Sequence, residues 1–250
     1  MSPDNQLGEI THDHLLGGRV RYCQPRRGFR VAIDPVLLAA AIPAKPGDLV
    51  LEGGTGAGAA LLCLAARVPG LRGIGVDLDV PLLGLAKANA EANHFPDLWF
   101  AAADAASTSI RGTVDHAFAN PPYHTADGTP PGTVRSAQAK RAGPEVVPKW
   151  VRGLSDALRH RGTLTLILAP SLLESCLTAM RDVRVPAEMI YPVWPREGRA
   201  ARFVLVQGRK LGRSPIRIMP GLVLHAPDGS FRSEADAILR DAAPLPQLAE

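Results

Sequence analysis

From Asp48 onward the chain alternates short apolar runs with longer stretches rich in Ala and Leu, and no other feature limits its possible folds as tightly. Short runs that are apolar throughout suit strands buried on both faces. Ala/Leu stretches between them suit the crossover helices that a parallel sheet requires. "DLVLEGG", "LRGIGVDLD", "LWFAAAD" and "VDHAFANPP" predict four strands, with "AALLCLAARV" and "VPLLGLAKANAEAN" as the first two helices. "EVVPKWVRGLSDALRH" then reads as a helix, "GTLTLILAP" as a fifth strand and "SLLESCLTAMRD" as a helix. "AEMIYPVW" and "ARFVLVQGRK" form a final pair of strands joined by "PREGRA", a link too short for a crossover, so the last strand is expected to be antiparallel. The expectation is an α/β fold with a Rossmann-like, seven-stranded, mostly parallel sheet, helices on both faces and an antiparallel final strand. Residues 1–33 read as a basic N-terminal arm, and 34–250 as one domain with a basic C-terminal extension from about 208.

Composition narrows the setting. Hydrophobic residues make up 46% of the 250, enough for one full-sized core. Cys23, Cys63 and Cys176 are odd in number and widely spaced, which speaks against a disulfide framework or a zinc site. No apolar run is long enough to span a bilayer and no charged leader opens the chain, so a cytoplasmic protein without membrane or metal is expected. The excess of Lys and Arg over Asp and Glu, 28 to 24, permits a nucleic-acid partner without demanding one. Its distribution says more. "RVRYCQPRRGFR" interleaves arginines with Tyr22 and Phe29, a pattern suited to phosphates and unpaired bases, or else a solvated arm. Between Arg196 and Arg217 seven basic residues face one acid, Glu197. Arg26, Arg27, Arg196, Arg209, Lys210 and Arg213 are the candidate nucleic-acid contacts.

"VLEGGTGAGAA" places Gly54, Gly56 and Gly58 between a strand and a helix, after Glu52 and with Gly53 and Thr55 in the same run. Glycines there let the backbone turn sharply and let a ligand approach a helix N-terminus. Asp77 ends the next strand 21 residues after Gly56, the spacing at which a carboxylate takes ribose hydroxyls, with Asp79 a competing candidate. Gly54, Gly56 and Ala59 also satisfy the dinucleotide pattern, so a nicotinamide enzyme stays open at this point, as does a tight turn that binds nothing. Asp104 ends the third strand, and Asn120-Pro121-Pro122-Tyr123 ends the fourth.

Together these residues resemble the class I S-adenosylmethionine-dependent methyltransferases: "EGGTGAG" as the cofactor loop, Asp77 as the ribose acid, Asp104 as the adenine acid, and "NPPY" as the amino-methyltransferase tetrapeptide. The resemblance implies that S-adenosylmethionine is held by Glu52, Gly53, Gly54, Thr55, Gly56, Gly58, Asp77, Leu78, Asp104, Ala105 and Asn120, with the segment around Asp34 over its methionine end. The chemistry accounts for the tetrapeptide. An amine conjugated to a ring or carbonyl is a poor nucleophile, because its lone pair is delocalised. The Asn120 side-chain oxygen and the Pro121 carbonyl would accept its two N–H bonds and concentrate the lone pair on nitrogen. Pro122 would hold Pro121 extended and Tyr123 would stack on the planar target. His124 is assigned no role.

"RGFRVAIDPVLLAAAIP", "VWPREGRAARFVLVQGRK" and "SPIRIMPGLVLHAPDGSF" further resemble the bacterial tRNA1(Val) (adenine-N6)-methyltransferase group. That likeness implies an adenosine in RNA, most directly tRNA, splayed from its stack to reach Asn120. Gly53 stands where many relatives carry Leu, and is expected to loosen the strand end. A release-factor glutamine N5-methyltransferase poses the same two-donor problem, but usually has a helical domain before the glycine loop. A non-catalytic RNA-binding protein of the same fold leaves the intact Asn120, Pro121 and Tyr123 unexplained, and a nicotinamide enzyme leaves the whole tetrapeptide unexplained.

Overall fold

A computed structural model describes residues 7–27, 31–122 and 145–246. Tyr123, His124 and the Gly/Pro-rich stretch after them lie outside the described residues. The central sheet is built from β3 (Leu49–Gly53), β4 (Arg72–Asp77), β5 (Leu98–Ala102), β6 (Val114–Ala119), β7 (Leu158–Leu168), β8 (Ala187–Trp194) and β9 (Phe203–Arg209). Two further strands of two residues each, β10 (Arg217–Ile218) and β11 (Leu222–Val223), both pair with β8 and make the sheet nine-stranded. The order is β10-β8-β9-β7-β6-β3-β4-β5, and β9 alone runs antiparallel to its neighbours. The seven expected strands and the antiparallel last one are therefore present. The additional pair came from a stretch too short to carry a period-2 pattern.

Side chains alternate across this sheet and fill two cores. Phe118 and Ile167 point to the face covered by α1 (Asp34–Ala41), α2 (Ala59–Arg67) and α6 (Ser233–Asp241). Ala117, Ala119, Leu166 and Leu168 point to the face covered by α4 (Val146–Ala157) and α5 (Leu173–Asp182). The α4 helix ends at Ala157, earlier than its sequence suggested, because Leu158 already pairs with Val114 in the sheet. Helix α3 (Val80–Ala92) starts where the Asp79 carboxylate accepts the Leu82 N–H, with Pro81 in its first turn.

The N-terminal segment is more ordered than a solvated arm. Strands β1 (Ile10–Leu15) and β2 (Val20–Pro25) form an antiparallel hairpin. Asn89 on α3 accepts the Cys23 N–H and donates to the Cys23 and Ala57 carbonyls, all at 2.8–3.0 Å. One buried amide thus ties the hairpin to the glycine loop. At the other end Arg19 reaches Asp241 of α6, and the Leu245 N–H donates to the Ala40 carbonyl, so the C-terminal segment closes over α1 and the hairpin.

Candidate active site

Parallel strands end together, and the register shows which residues share that edge. Gly53 lies opposite Val76 and Ala119, and Asp77 opposite Ala102. The glycine loop, Asp77, Asp104 and Asn120 are therefore brought to one edge of the sheet, the carboxyl ends of β3 to β6, as the sequence predicted. Open α/β sheets hold their ligands there.

Asn120 follows the last residue of β6. Its amide nitrogen donates to the Asp34 carboxylate, which is buried at the start of α1. Its amide oxygen is buried and has no hydrogen-bond partner among the described residues. An unpaired buried acceptor costs about 1–3 kcal/mol, so it marks a place where a donor is wanted. Pro121 is buried and Pro122 half-buried, and neither is paired in the sheet.

The glycine loop is held from below. The Gly54 and Thr55 N–H groups both donate to the Val76 carbonyl, at 2.8 and 3.0 Å. Glu52 is buried and turned inward, accepting from the Thr55 hydroxyl at 2.6 Å and the Leu61 N–H at 3.2 Å. It braces the loop. Asp77 accepts the Gly56 N–H at 2.8 Å through one oxygen and the Asp79 N–H at 3.0 Å through the other. Asp79 is occupied as the cap of α3, which separates the two candidate acids: Asp77 belongs to the loop, Asp79 to the helix. Beside them Leu78 is 58% exposed, an apolar surface at the mouth of the site. Asp104 folds back on its own turn, accepting the Ala106 N–H at 2.9 Å.

Helix α4 supplies contacts that the sequence reading missed. A Cβ on Gly54, whose φ is +68°, would sit 2.4 Å from the Trp150 ring. A Cβ on Gly153 would lie 2.2 Å from the Ala105 carbonyl oxygen, so the helix packs directly on the strand end that carries Asp104. A lone glycine inside a helical pattern was the available signal, since it marks close backbone approach. The same packing corrects the expectation for Gly53. Its strand end is not loose: a Cβ there would be 2.9 Å from Ala105 Cβ and 3.2 Å from Leu154 Cδ2, so other side chains already fill the space.

The basic candidates divide between the two edges of the sheet. Because β9 is antiparallel, its last residue Arg209 lies opposite Thr163 of β7, which pairs with His116 near the start of β6, toward the edge away from Asn120. Arg209 is also engaged there, with Glu188 and with the Arg161 carbonyl, and the Lys210 ammonium takes the Ser155 and Leu158 carbonyls at 2.9 and 2.7 Å. Lys210 neutralises the C-terminal end of α4. Arg213 follows on the same far edge, where Leu211 bonds the Arg184 carbonyl. These three expected RNA contacts thus lie at the sheet edge away from Asn120. The loop joining β8 to β9 is at the near edge, and it carries Arg196, Arg199 and Arg202 in exposed positions. Its one acid, Glu197, is paired with Arg232 at 2.8 Å. Arg26 and Arg27 emerge from β2, which climbs α3 from Asn93 past Asn89 toward the same edge; Arg26 is paired with Glu9.

Burial raises all three thiols, Cys176 to about 12, so no thiolate nucleophile is poised here. Among the described residues there is no cluster of three or more metal-ligating side chains, and no helix is long and apolar enough to cross a membrane.

The Methyltransferase small domain family model matches residues 31–173, more than half of the chain, including the glycine loop, Asp77, Asp104 and Asn120. The chain belongs to this methyltransferase family. The methyltransferase is 27% identical over 208 residues to a tRNA1(Val) (adenine(37)-N6)-methyltransferase of Aeromonas hydrophila, covering 82% of this chain and 86% of that protein. It is 25% identical over 180 residues to the protein of that name from Bacteroides thetaiotaomicron, covering 71% and 76%. A release factor glutamine methyltransferase of Chlorobaculum tepidum is 34% identical, but over 92 residues, 35% of this chain. In fold the methyltransferase matches the crystal structure of a predicted O-methyltransferase from Agrobacterium tumefaciens, with a TM-score of 0.70 and 20% identity over 84% of this chain and 97% of that one. Its mostly parallel sheet with an antiparallel β9 is the Rossmann-like sheet expected from the sequence.

Proposed function

We propose that this methyltransferase transfers the methyl group of S-adenosylmethionine to the N6 amine of an adenosine in tRNA, working in the cytoplasm. The observation that carries this reading is the buried oxygen of Asn120, a hydrogen-bond acceptor held at the ligand edge of the sheet with no partner among the described residues. The residues around it suit the cofactor. Gly54, Thr55, Gly56 and Gly58 would line its amino-acid portion, Asp77 would take its ribose, and Leu78, Asp104 and Ala105 would hold its adenine. Glu52 and Gly53 support that loop from within. When bound, S-adenosylmethionine supplies an electrophilic methyl group on a positive sulfonium.

Asn120 accepts one N–H of the target amine, and the Pro121 carbonyl the other. With both protons held, the nitrogen lone pair is directed out of the ring plane toward the methyl carbon. As the N–C bond forms the S–C bond breaks, and the methylated nitrogen loses one proton to water. No general base of shifted pKa is needed, and catalysis is alignment and electrostatics. Tyr123, as the residue after Pro122, would stack on the purine. The RNA phosphates would lie on Arg196, Arg199 and Arg202, with Arg26 and Arg27 on the hairpin side.

Labelled S-adenosylmethionine incubated separately with tRNA, ribosomal RNA and release factor tests this. Label is expected in tRNA as N6-methyladenosine; label in the release factor alone would replace the reading by glutamine methylation, which the tetrapeptide and the similarity to the C. tepidum protein also favour. Replacing Arg196, Arg199 and Arg202 with Gln should flatten the salt dependence of RNA affinity by about two units of slope, while Arg209→Gln should not. An unchanged slope in the triple variant would move the RNA surface off this loop.

A further inference from the structure

We propose that Asp34 is a positioning residue that sets which end of the Asn120 amide faces the target amine. The inference rests on the proposed reaction and adds a role to a residue that the family resemblance gave only to the cofactor. An asparagine amide has two ends of nearly equal shape and opposite hydrogen-bonding sense. An amine donor meets an acceptor if the oxygen faces it, and another donor if the nitrogen does. Proteins whose Asn must present oxygen therefore need something to break this near-symmetry.

Asp34 does so by chemistry alone. An ionised carboxylate only accepts, so the amide nitrogen must turn toward it, as it does here, and the oxygen must turn away. That oxygen is the one left buried and without a partner. Asp34 itself is fixed: it is 4% exposed, it begins α1, and Pro35 follows it in the first helical turn, where an acidic side chain is favoured. The carboxylate also polarises the amide, making its oxygen a stronger acceptor as positive charge develops on the attacked amine. The two residues are 86 apart in sequence and meet only in the fold.

The test is an exchange. Asp34→Asn places two amides in contact and lets Asn120 lie either way; at saturating cofactor, so that any change in its Kd does not enter, kcat is expected to fall about tenfold, the rate equivalent of one charge-assisted hydrogen bond. Asp34→Asn combined with Asn120→Asp restores one donor between the side chains and leaves an oxygen facing the amine, so most of the lost kcat should return. An Asp34 needed merely to build α1 would not be rescued from position 120. Unchanged kcat in Asp34→Asn, or no recovery in the exchanged pair, would overturn the proposal. A readout independent of turnover separates it from failure of the proposed reaction: the side-chain amide proton of Asn120 that faces Asp34 should resonate downfield in the unaltered protein and move upfield in Asp34→Asn. An unmoved resonance would also overturn it.

Discussion

Replacing Asn89 with alanine should destabilise the protein far more than the same change four residues on. Asn89 is 2% exposed, and its amide makes three hydrogen bonds: Cys23 N–H at 2.8 Å, Cys23 carbonyl at 3.0 Å and Ala57 carbonyl at 3.0 Å. Removing it takes three hydrogen bonds from the backbone, one buried and two part-buried, a loss of about 3 kcal/mol at roughly 1 kcal/mol net for each bond. With a urea m-value of about 2–3 kcal/mol/M for a chain of this size, the midpoint should fall by about 1 M or more. Asn93 is the internal control. It bonds the next exposed rung of the same strand, Arg21 N–H at 2.8 Å and Arg21 carbonyl at 2.7 Å, where water can substitute. Asn93→Ala should cost less than about 1 kcal/mol. Urea unfolding of both variants, followed by far-UV circular dichroism, decides the point. Equal losses, or a loss below about 1 kcal/mol for Asn89→Ala, would refute the claim that this amide holds the hairpin to the glycine loop. Because Ala57 lies in that loop, calorimetry should also show weaker S-adenosylmethionine binding by Asn89→Ala and unaltered binding by Asn93→Ala.

Three further outcomes follow from the same geometry. Gly53→Leu should lower stability by about 1–3 kcal/mol through overpacking against Ala105 and Leu154, as read by thermal unfolding; a neutral or stabilising result would restore the view that the strand end is loose. Asp77→Ala should weaken cofactor binding at least tenfold, whereas Asp79→Ala should cost about 1 kcal/mol of stability for the lost cap and leave binding nearly intact; the reverse pattern in calorimetry would exchange their roles. Burial lowers the pKa of His116 from the ordinary 6.5, against the opposing pull of its bond to Asp48. The unfolded chain therefore takes up this proton first, so the associated stability is complete above 6.5 and is lost as pH falls below it. Urea midpoints compared at pH 7.5 and 5.5 should fall more for the unaltered protein than for His116→Gln, and parallel falls would show that this histidine is not buried neutral.

Local chemistry was legible in the sequence, and long-range placement was not. The glycine loop, Asp77, Asp104 and the Asn-Pro-Pro turn could be assigned to one edge because each ends a strand in a βα rhythm, and the parallel register brings such ends together. The pairing of Asp34 with Asn120 and the bridging role of Asn89 had no local signal, since each joins segments separated by scores of residues. Arg209 and Lys210 illustrate a different limit. A charge run says that a surface is basic, but not which edge of the sheet carries it. An antiparallel last strand returns its C-terminal end to the edge opposite the site, so the expected strand direction already contained the answer. Gly53 failed for a third reason: its volume is filled by Ala105 and Leu154, which come from other elements.

The unpaired oxygen of Asn120 stands at the centre of the account, and Asn120→Ala addresses it directly. The variant removes the acceptor while leaving the glycine loop and Asp77 in place. Single-turnover methyl transfer to tRNA, measured at saturating cofactor, should fall by at least about a hundredfold, the rate equivalent of a preorganised hydrogen bond to the reacting group, while S-adenosylmethionine binding is retained. Turnover within about twofold of the unaltered protein at equal cofactor affinity would contradict the account, because the target amine would then not be held by Asn120.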